Sequence, residues 1–326
     1  MGRVRARVLV FWGIVALLLV PAAALTFARA VEPDRGFWIQ LEAFTPFGLV
    51  LYGAAALLLV ARLLVRRRVR SWAAAVAAVA GLGLAVHAWW YAPQLTGANP
   101  PPAPGAERVV VMSANISSGG ADGIDLVRRA TEEDVDLLAV QEITAADLAD
   151  MERAGLAELL PYRVGEPGTF GDGTMVFART ELTGAEPLAT THDGWVVEMG
   201  DLTVMAVHPW APTEPELWRE ELALVEQAVG EHEPDLVVGD FNATLDHAPM
   251  RALGDVGYRD AGELANQGWQ PTWPASGTVD VLGVGLPALV QIDHVLVGPE
   301  VAALGMHTVE LPDSDHRAVV AEVARK

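Results

Sequence analysis

The sequence predicts an α/β domain with extensive β-sheet, preceded by three membrane-spanning helices, and three observations carry that prediction. Three uncharged apolar runs occupy the first 95 residues. From Arg108 onward, short β-like runs alternate with helix-like segments. Charge divides at the same place: residues 1–95 hold ten arginines against three acids, whereas residues 96–326 hold twelve basic and thirty-nine acidic side chains. With 52% hydrophobic residues and a mean hydropathy of +0.28, the chain is too apolar for an ordinary soluble domain, which places part of it in lipid. It contains no cysteine, which excludes a disulfide framework, a thiolate zinc site and a cysteine nucleophile.

The membrane domain is expected over residues 1–95. Residues 8–28 and 43–61 are each long enough to cross a hydrocarbon core about 30 Å thick. The third run, Ser71 to Leu95, is rich in Ala and carries Trp72 at one end and Trp89, Trp90 and Tyr91 at the other, as an aromatic belt would. A buried soluble helix is the alternative for this run. Arg3, Arg5 and Arg7 precede the first span, and Arg62, Arg66, Arg67, Arg68 and Arg70 separate the second from the third. By the positive-inside rule both stretches are cytoplasmic, and everything after residue 95 lies outside the cytoplasm. Taking the first span as a cleaved signal peptide, on the strength of Ala28-Arg29-Ala30, leaves the C-terminal part outside as well. His87 in the third span reads as a headgroup-level or interhelical hydrogen-bonder in preference to a relay.

Residues 96–107 (TGANPPPAPGAE) contain four prolines and no hydrophobic period, so a stiff, extended linker is expected there. Residues 108–326 then form the second domain. Its expected elements are, in order, strand RVVVMSAN, an amphipathic helix around 124–133, strand DLLAVQE, a helix near 145–159, strands TMVFAR, WVVEM and LTVMAV, a long helix near 214–231, and strands DLVVGD, QIDHVLV and HRAVVAEV.

Polar residues at the ends of these apolar strands are the informative positions, because side chains from several strands converge at such a crevice. Asn115 follows VVVMSA, Gln141-Glu142 follows LLAV, His208 follows TVMAV, Asp240 and Asn242 stand in VVGDFNA, Asp293 opens DHVLV, and Asp315-His316 precedes RAVVAEV. Each has a bland alternative taken singly: a turn residue, a helix cap, a satisfied strand-end histidine. Their joint occurrence points to a site.

The ordered set Ser113-Ala114-Asn115, Gln141-Glu142, His208-Pro209-Trp210-Ala211-Pro212, Gly239-Asp240-Phe241-Asn242-Ala243, Ile292-Asp293-His294 and Ser314-Asp315-His316 resembles the endonuclease/exonuclease/phosphatase superfamily, the DNase I-like fold, over essentially all of residues 108–326. Three spans followed by such a domain are also similar to actinobacterial membrane proteins of the VanJ type. The resemblance implies a four-layer αββα sandwich with two facing sheets and the site at one end. Phosphoester hydrolysis needs neutralised phosphoryl oxygens, an aligned water and help for the departing oxygen. Hard carboxylates with an amide suit Mg²⁺, with Mn²⁺ as the alternative. Glu142 is the expected metal ligand, assisted by Asn115 and by Asp315 through water. The resemblance further implies that Asp240 orients and deprotonates the attacking water, that Asn242 holds the phosphate or metal shell, and that His316 donates to a phosphoryl oxygen with Asp293 behind it. His208 is similar to the second histidine of the DNase I-type members and would protonate the leaving oxygen.

Departures from the pattern bear on the substrate. Repair members have Asp where this chain has Ser117 and Tyr where it has His208, which moves the reading away from abasic-site repair. Asp172 would align with the carboxylate that orients His208, or is an ordinary acidic loop residue. Trp269 and Trp273 would wall the substrate or serve packing, and His294, pointing to the opposite face, is left out of the site. His192, His232, His247 and His307 have no motif context. A nuclease attracts a polyanion with a basic stripe, and this acidic domain has none. The preferred reading is therefore a membrane-embedded, metal-dependent phosphoester or pyrophosphate hydrolase acting outside the cytoplasm on a lipid-linked phosphate. An extracellular metal-dependent nuclease and a catalytically inactive binding module are the alternatives.

Overall fold

The computed structural model describes residues 2–65, 71–275, 277–281 and 283–326. Arg66, Arg67, Arg68 and Arg70, which enter the orientation argument, lie outside the described residues. The chain divides into two compact units, Met1–Pro93 and Gln94–Lys326.

The first unit consists of α1 (Gly2–Val31), α2 (Gly36–Glu42), α3 (Phe47–Val65) and α4 (Ser71–Tyr91). Three segments within them, Arg5–Val31, Phe47–Val65 and Trp72–Tyr91, are long and apolar enough to cross a membrane. Leu9, Leu17, Val20, Leu57, Leu64 and Leu82 stand exposed on these helices, while a narrow seam of Val15, Ala55, Leu59 and Ala80 is buried. In water so much exposed apolar surface would drive association; in lipid it is solvated. His87 bonds between helices, with Nδ1 3.0 Å from the Thr45 carbonyl and Nε2 3.0 Å from the Thr26 hydroxyl.

The second unit begins within the one-turn helix α5 (Pro93–Thr96) and holds fourteen strands and six further helices among its described residues. They run β1 (Arg108–Asn115), α6 (Gly123–Glu132), β2 (Leu137–Gln141), α7 (Ala145–Arg153), α8 (Leu156–Leu159), β3 (Tyr162–Val164), β4 (Thr174–Ala178), β5 (Leu182–Pro187), β6 (Trp195–Met199) and β7 (Leu202–Val207). Then come α9 (Pro215–His232), β8 (Leu236–Asp240), α10 (Ala248–Asp255), β9 (Arg259–Asp260), α11 (Ala261–Leu264), β10 (Asp280–Val281), β11 (Val284–Gly285), β12 (Asp293–Val297), β13 (Val301–Glu310) and β14 (Arg317–Arg325).

Two six-stranded sheets result, ordered β13-β14-β1-β2-β4-β3 and β5-β6-β7-β8-β12-β9. Alternate residues explain how they stack. In β1, Val111 joins the core shared with Val204, Val238 and Val295 of the other sheet, whereas Val110, Met112 and Ala114 join a second core with Leu126, Val127 and Met151 of α6 and α7. A strand covered on both faces needs apolar residues at every position, which is why RVVVMSAN reads as a continuous run. Each fully buried Val or Leu contributes about 1.5–3 kcal/mol. Beyond the second sheet, α9 buries Trp218, Leu222, Val225 and Val229, giving the expected helix–sheet–sheet–helix order.

Each sheet holds one parallel pair: β1 with β2, bridged by α6, and β7 with β8, bridged by α9. The helix expected over 145–159 is two pieces, because Gly155 takes a φ of 95° that an α-helix does not admit. The proline-rich segment has no helix or strand before β1, yet it is not a free-standing tether. The Gln94 carbonyl accepts from Gly268 N–H at 3.0 Å, the Gly97 carbonyl from Asn266 Nδ2 at 3.2 Å, Asn99 Nδ2 donates to the Ala303 carbonyl, and Ala103 N–H donates to the Arg325 carbonyl at 2.9 Å. Proline lacks an N–H but leaves the neighbouring residues free to bond, so the segment is docked along its own unit.

Candidate active site

The four parallel strands end on the same side, and each delivers one polar residue there. Asn115 ends β1, Glu142 follows β2, His208 follows β7 and Asp240 ends β8. Asp293 opens β12 and lies opposite Asp240 in the β8–β12 pairing, while His316 immediately precedes β14. Gly239 lets β8 approach β7 at this end: its φ is 148°, and a Cβ there would stand 1.9 Å from the Val207 carbonyl oxygen.

Asp240 is the hub. Its Oδ1 accepts the Asn242 N–H at 2.8 Å, and its Oδ2 accepts Asn115 Nδ2 at 3.0 Å. That same oxygen lies 3.7 Å from His208 Nε2 and 3.8 Å from His316 Nε2. Burial, reinforced by the neighbouring Asp293 charge, pushes the Asp240 carboxyl up to about 7, against the opposing pull of His316, the Asn242 N–H and Asn115. His316 Nδ1 is 2.9 Å from Asp293 Oδ2. Burial alone would lower this histidine, but the charges of Asp293 and Asp240, the Asp293 hydrogen bond and Asp315 together raise it to about 10. His208 moves the other way: burial, with His192 and His316 nearby, holds it well below its ordinary value. The site thus sets a carboxyl that titrates near neutrality between one cationic and one neutral imidazole.

Asp293 is itself fixed from behind, since the Thr272 hydroxyl accepts from the N–H groups of Ile292 and Asp293 at 3.1 and 3.3 Å. Trp218 of α9 donates through Nε1 to the Asn242 carbonyl at 3.0 Å, and Asn242 Nδ2 donates to the Pro209 carbonyl at 3.1 Å. Asn242 therefore ties the Asp240 loop to the His208 loop, and its amide nitrogen is committed to that bond. Non-glycine residues with positive φ gather here: Ser117 at 52°, Ser118 at 50°, Glu142 at 58° and Asn242 at 49°. Such conformations cost on the order of 1 kcal/mol each and persist where packing over-determines them.

Two groups of donors suit a divalent cation. Ligand atoms of Asp240, Asp293 and His316 lie within 4.8 Å of one another, and Asp293 Oδ1 is buried with no hydrogen-bond partner among the described residues. A possible acidic metal-binding group is therefore present, although His316 spends Nδ1 on Asp293 and carries a raised affinity for its proton. Glu142 is half-exposed at the mouth, accepting from Asn115 Nδ2 at 3.0 Å and from the Ser118 hydroxyl at 2.7 Å. Its accessible carboxylate fits a hard cation better than the paired histidine does. Asn115 presents its amide nitrogen to Glu142 and Asp240, and its Oδ1 accepts Ser117 N–H at 2.9 Å. The two carboxylate oxygens of Asp315 accept from the Ser117 hydroxyl and from Trp273 Nε1, the latter at 3.3 Å.

Asp172 does not orient His208. Its Oδ1 accepts from the N–H groups of Phe170 and Thr169, which hold its carboxyl low and close its own loop. In that loop Gly171 lies against the Glu142 carboxylate and Phe170 stands 92% exposed. His294 is fully buried on the opposite face, between Asp260 at 2.9 Å and the Ala243 carbonyl at 3.0 Å. The aromatic neighbour of His208 is instead His192, with ring centroids 4.5 Å apart. His192 lies on a loop between β5 and β6, far from any strand-end motif, so only the fold reveals it.

A family model described as Endonuclease/Exonuclease/phosphatase family matches residues 112–316. Among solved structures the chain is similar to an endonuclease/exonuclease/phosphatase family protein from Bacteroides thetaiotaomicron, at 16% identity and a TM-score of 0.52, covering 68% of this chain and 99% of that one. It is similar to D. rerio TDP2 complexed with single strand DNA product, at 17% identity and a TM-score of 0.54, covering 67% and 99%. A third is the endonuclease/exonuclease/phosphatase from Beutenbergia cavernae, at 19% identity and a TM-score of 0.51, covering 67% and 72%. At these identities the likeness is one of fold. No curated protein matches the chain.

Proposed function

The chain belongs to the endonuclease/exonuclease/phosphatase family, and from that premise we propose a membrane-anchored, divalent-metal-dependent phosphoester or pyrophosphate hydrolase that works outside the cytoplasm on a lipid-linked phosphate. The observation that carries the chemistry is the convergence of Asp240, His208 and His316 around one carboxylate oxygen. Asp240, with its carboxyl raised to about 7, takes a proton from the attacking water near neutral pH. His316 holds its proton and donates through Nε2 to a phosphoryl oxygen as charge builds there, while Asp293 fixes its ring through Nδ1. His208, neutral at this pH, presents Nε2 from the facing sheet and would donate a hydrogen bond to the departing oxygen. Asn242 keeps the Asp240 carboxylate aligned through its backbone N–H. Glu142, with Asn115 beside it, would hold Mg²⁺ or Mn²⁺. When bound, such an ion neutralises phosphoryl charge and orients the substrate.

The lipid reading draws support from three helices apolar enough to enter a membrane, from the acidic surplus of residues 96–326, and from exposed Phe170, next in sequence to the Gly171 that lies against Glu142. The D. rerio TDP2 complex, which holds a DNA product, favours a nuclease as the second reading. A phosphate-release panel on the full chain in vesicles, with Mg²⁺ or Mn²⁺, separates them: polyprenyl pyrophosphate, phospholipid, sphingomyelin-like lipid, nucleotide and duplex DNA. Turnover of a lipid substrate well above DNA is the expected result. Efficient DNA cleavage with no lipid turnover, including in a low-salt control, would replace the lipid reading by the nuclease one. A reporter active only in the cytoplasm, fused after Lys326, should be silent; activity from it would reverse the orientation.

A further inference from the structure

His208 is buried, yet its Nδ1 has no hydrogen-bond partner among the described residues. Nothing polar therefore fixes the rotation of a ring whose Nε2 must face Asp240 and Glu142, at 3.7 and 4.0 Å. His192 stacks on that ring with centroids 4.5 Å apart and planes inclined by 30°. Trp210 stacks on His192 in turn, at 4.6 Å and 20°.

The two loops that carry these rings meet on one buried carboxylate. Glu221 of α9 is 2% exposed; its Oε1 accepts the N–H of Thr191, next to His192, at 2.8 Å, and its Oε2 accepts the N–H of Trp210 at 2.7 Å. A buried carboxylate is costly unless both oxygens are satisfied, and here they are satisfied by the residues that set the stack. The Thr174 hydroxyl adds a bond to the His192 carbonyl at 3.3 Å.

We infer that Glu221, His192 and Trp210 are positioning residues for His208. The carboxylate holds the two loops in register, and the ring stack then fixes the imidazole that Asp293 would fix by a hydrogen bond in the case of His316. Glu221 lies thirteen residues after His208 on a helix and His192 sixteen residues before it on a loop. Their cooperation is a product of the fold. The kinetic part of this inference rests on the proposed role of His208 as hydrogen-bond donor to the leaving group; the structural part does not.

The test uses the full chain in detergent with Mg²⁺, comparing His192→Ala, His192→Phe and Glu221→Gln. Phosphodiesters with phenol and with nitrophenol leaving groups supply the kinetics, and ¹⁵N-histidine spectra, with His208 assigned through His208→Ala, report the ring directly. His192→Ala should shift or broaden the His208 resonances. It should also lower kcat for the phenol ester about tenfold at unchanged KM while sparing the nitrophenol ester, since an N–H donor to the departing oxygen matters most for a poor leaving group. His192→Phe, which keeps the stack, should restore both, and Glu221→Gln should shift the resonances in the direction of His192→Ala. Unchanged His208 resonances in His192→Ala would overturn the inference, as would His192→Phe behaving like His192→Ala, because a ring nitrogen rather than a ring face would then be at work. If the wild-type chain hydrolyses neither ester, the resonances alone decide the positioning.

Discussion

His208 and His316 flank Asp240 at nearly the same range, 3.7 and 3.8 Å, and both are buried, yet they are driven in opposite directions. The His316 wall has Asp293 at the far nitrogen, and the ring rises to about 10. The His208 wall has an aromatic stack, and the ring falls. Burial acts alike on both; the acidic charges around His316, Asp293 first, and the imidazoles around His208 make the difference. Two strand-end histidines that look equivalent in sequence thus differ in charge at neutral pH, His316 cationic and His208 neutral.

Removing the hub should have the largest effect. Asp240→Asn keeps size and hydrogen bonding but removes the base, so kcat should fall by about 10³-fold or more with little change in KM. The same variant should melt higher in metal-free buffer at pH 8. An acid whose folded pKa is raised from 3.8 to about 7 loses stability as pH climbs between those values, and Asn removes that loss. A melting temperature that is unchanged or lower at pH 8 would contradict the buried, strained carboxyl.

Glu142→Gln tests the mouth beside the His208 wall. Activity should drop about a hundredfold and require more Mg²⁺, while metal-free stability changes little, because no cavity opens. Full activity of this variant in EDTA would end the metal reading.

Converting one wall toward the other gives a sharper comparison. His316→Ala should raise KM as well as lower kcat, by about a hundredfold overall, since in the proposed mechanism its donor would touch phosphate in ground and transition states alike. Asp293→Asn should show a milder defect, about tenfold. A histidine with a raised pKa contributes stability that is fully present below 6.5 and disappears as pH rises through about 10; without the Asp293 charge this loss should be smaller and complete at lower pH. Thermal melts of the metal-free chain between pH 6 and 10 measure the shift. A fully active Asp293→Asn beside a dead His316→Ala would break the pairing.

The walls were not equally legible. Asn115, Glu142, His208, Asp240, Asp293 and His316 stand at the ends of strands buried on both faces, where a polar residue interrupts an apolar run and so announces itself. The helix–sheet–sheet–helix order followed from the resemblance those residues carry. Edge strands such as β13 and β5 were not foreseen, because VAALGMHTVE and LTGAEP mix apolar and polar residues without a clear period. Nor could spacing show that Asp315 bonds Ser117 and Trp273, that Asn115 turns its nitrogen inward, or that Glu221 reaches two loops. Those depend on side-chain direction, which the fold sets.

The docked segment between Gln94 and Ala103 has a mechanical meaning. Tension entering the second unit along the backbone would meet the bond to Gly268 first, then those to Asn266, Ala303 and Arg325, before it reached β1. The bonds lie in sequence along the load path, so they would yield one at a time, like the teeth of a zipper, and dissipate small tugs at its leading edge. Asn115, at the far end of β1, is the first active-site residue on that path. A strap that fails before the strand does would spare the geometry around Asp240 the pull arriving along the chain.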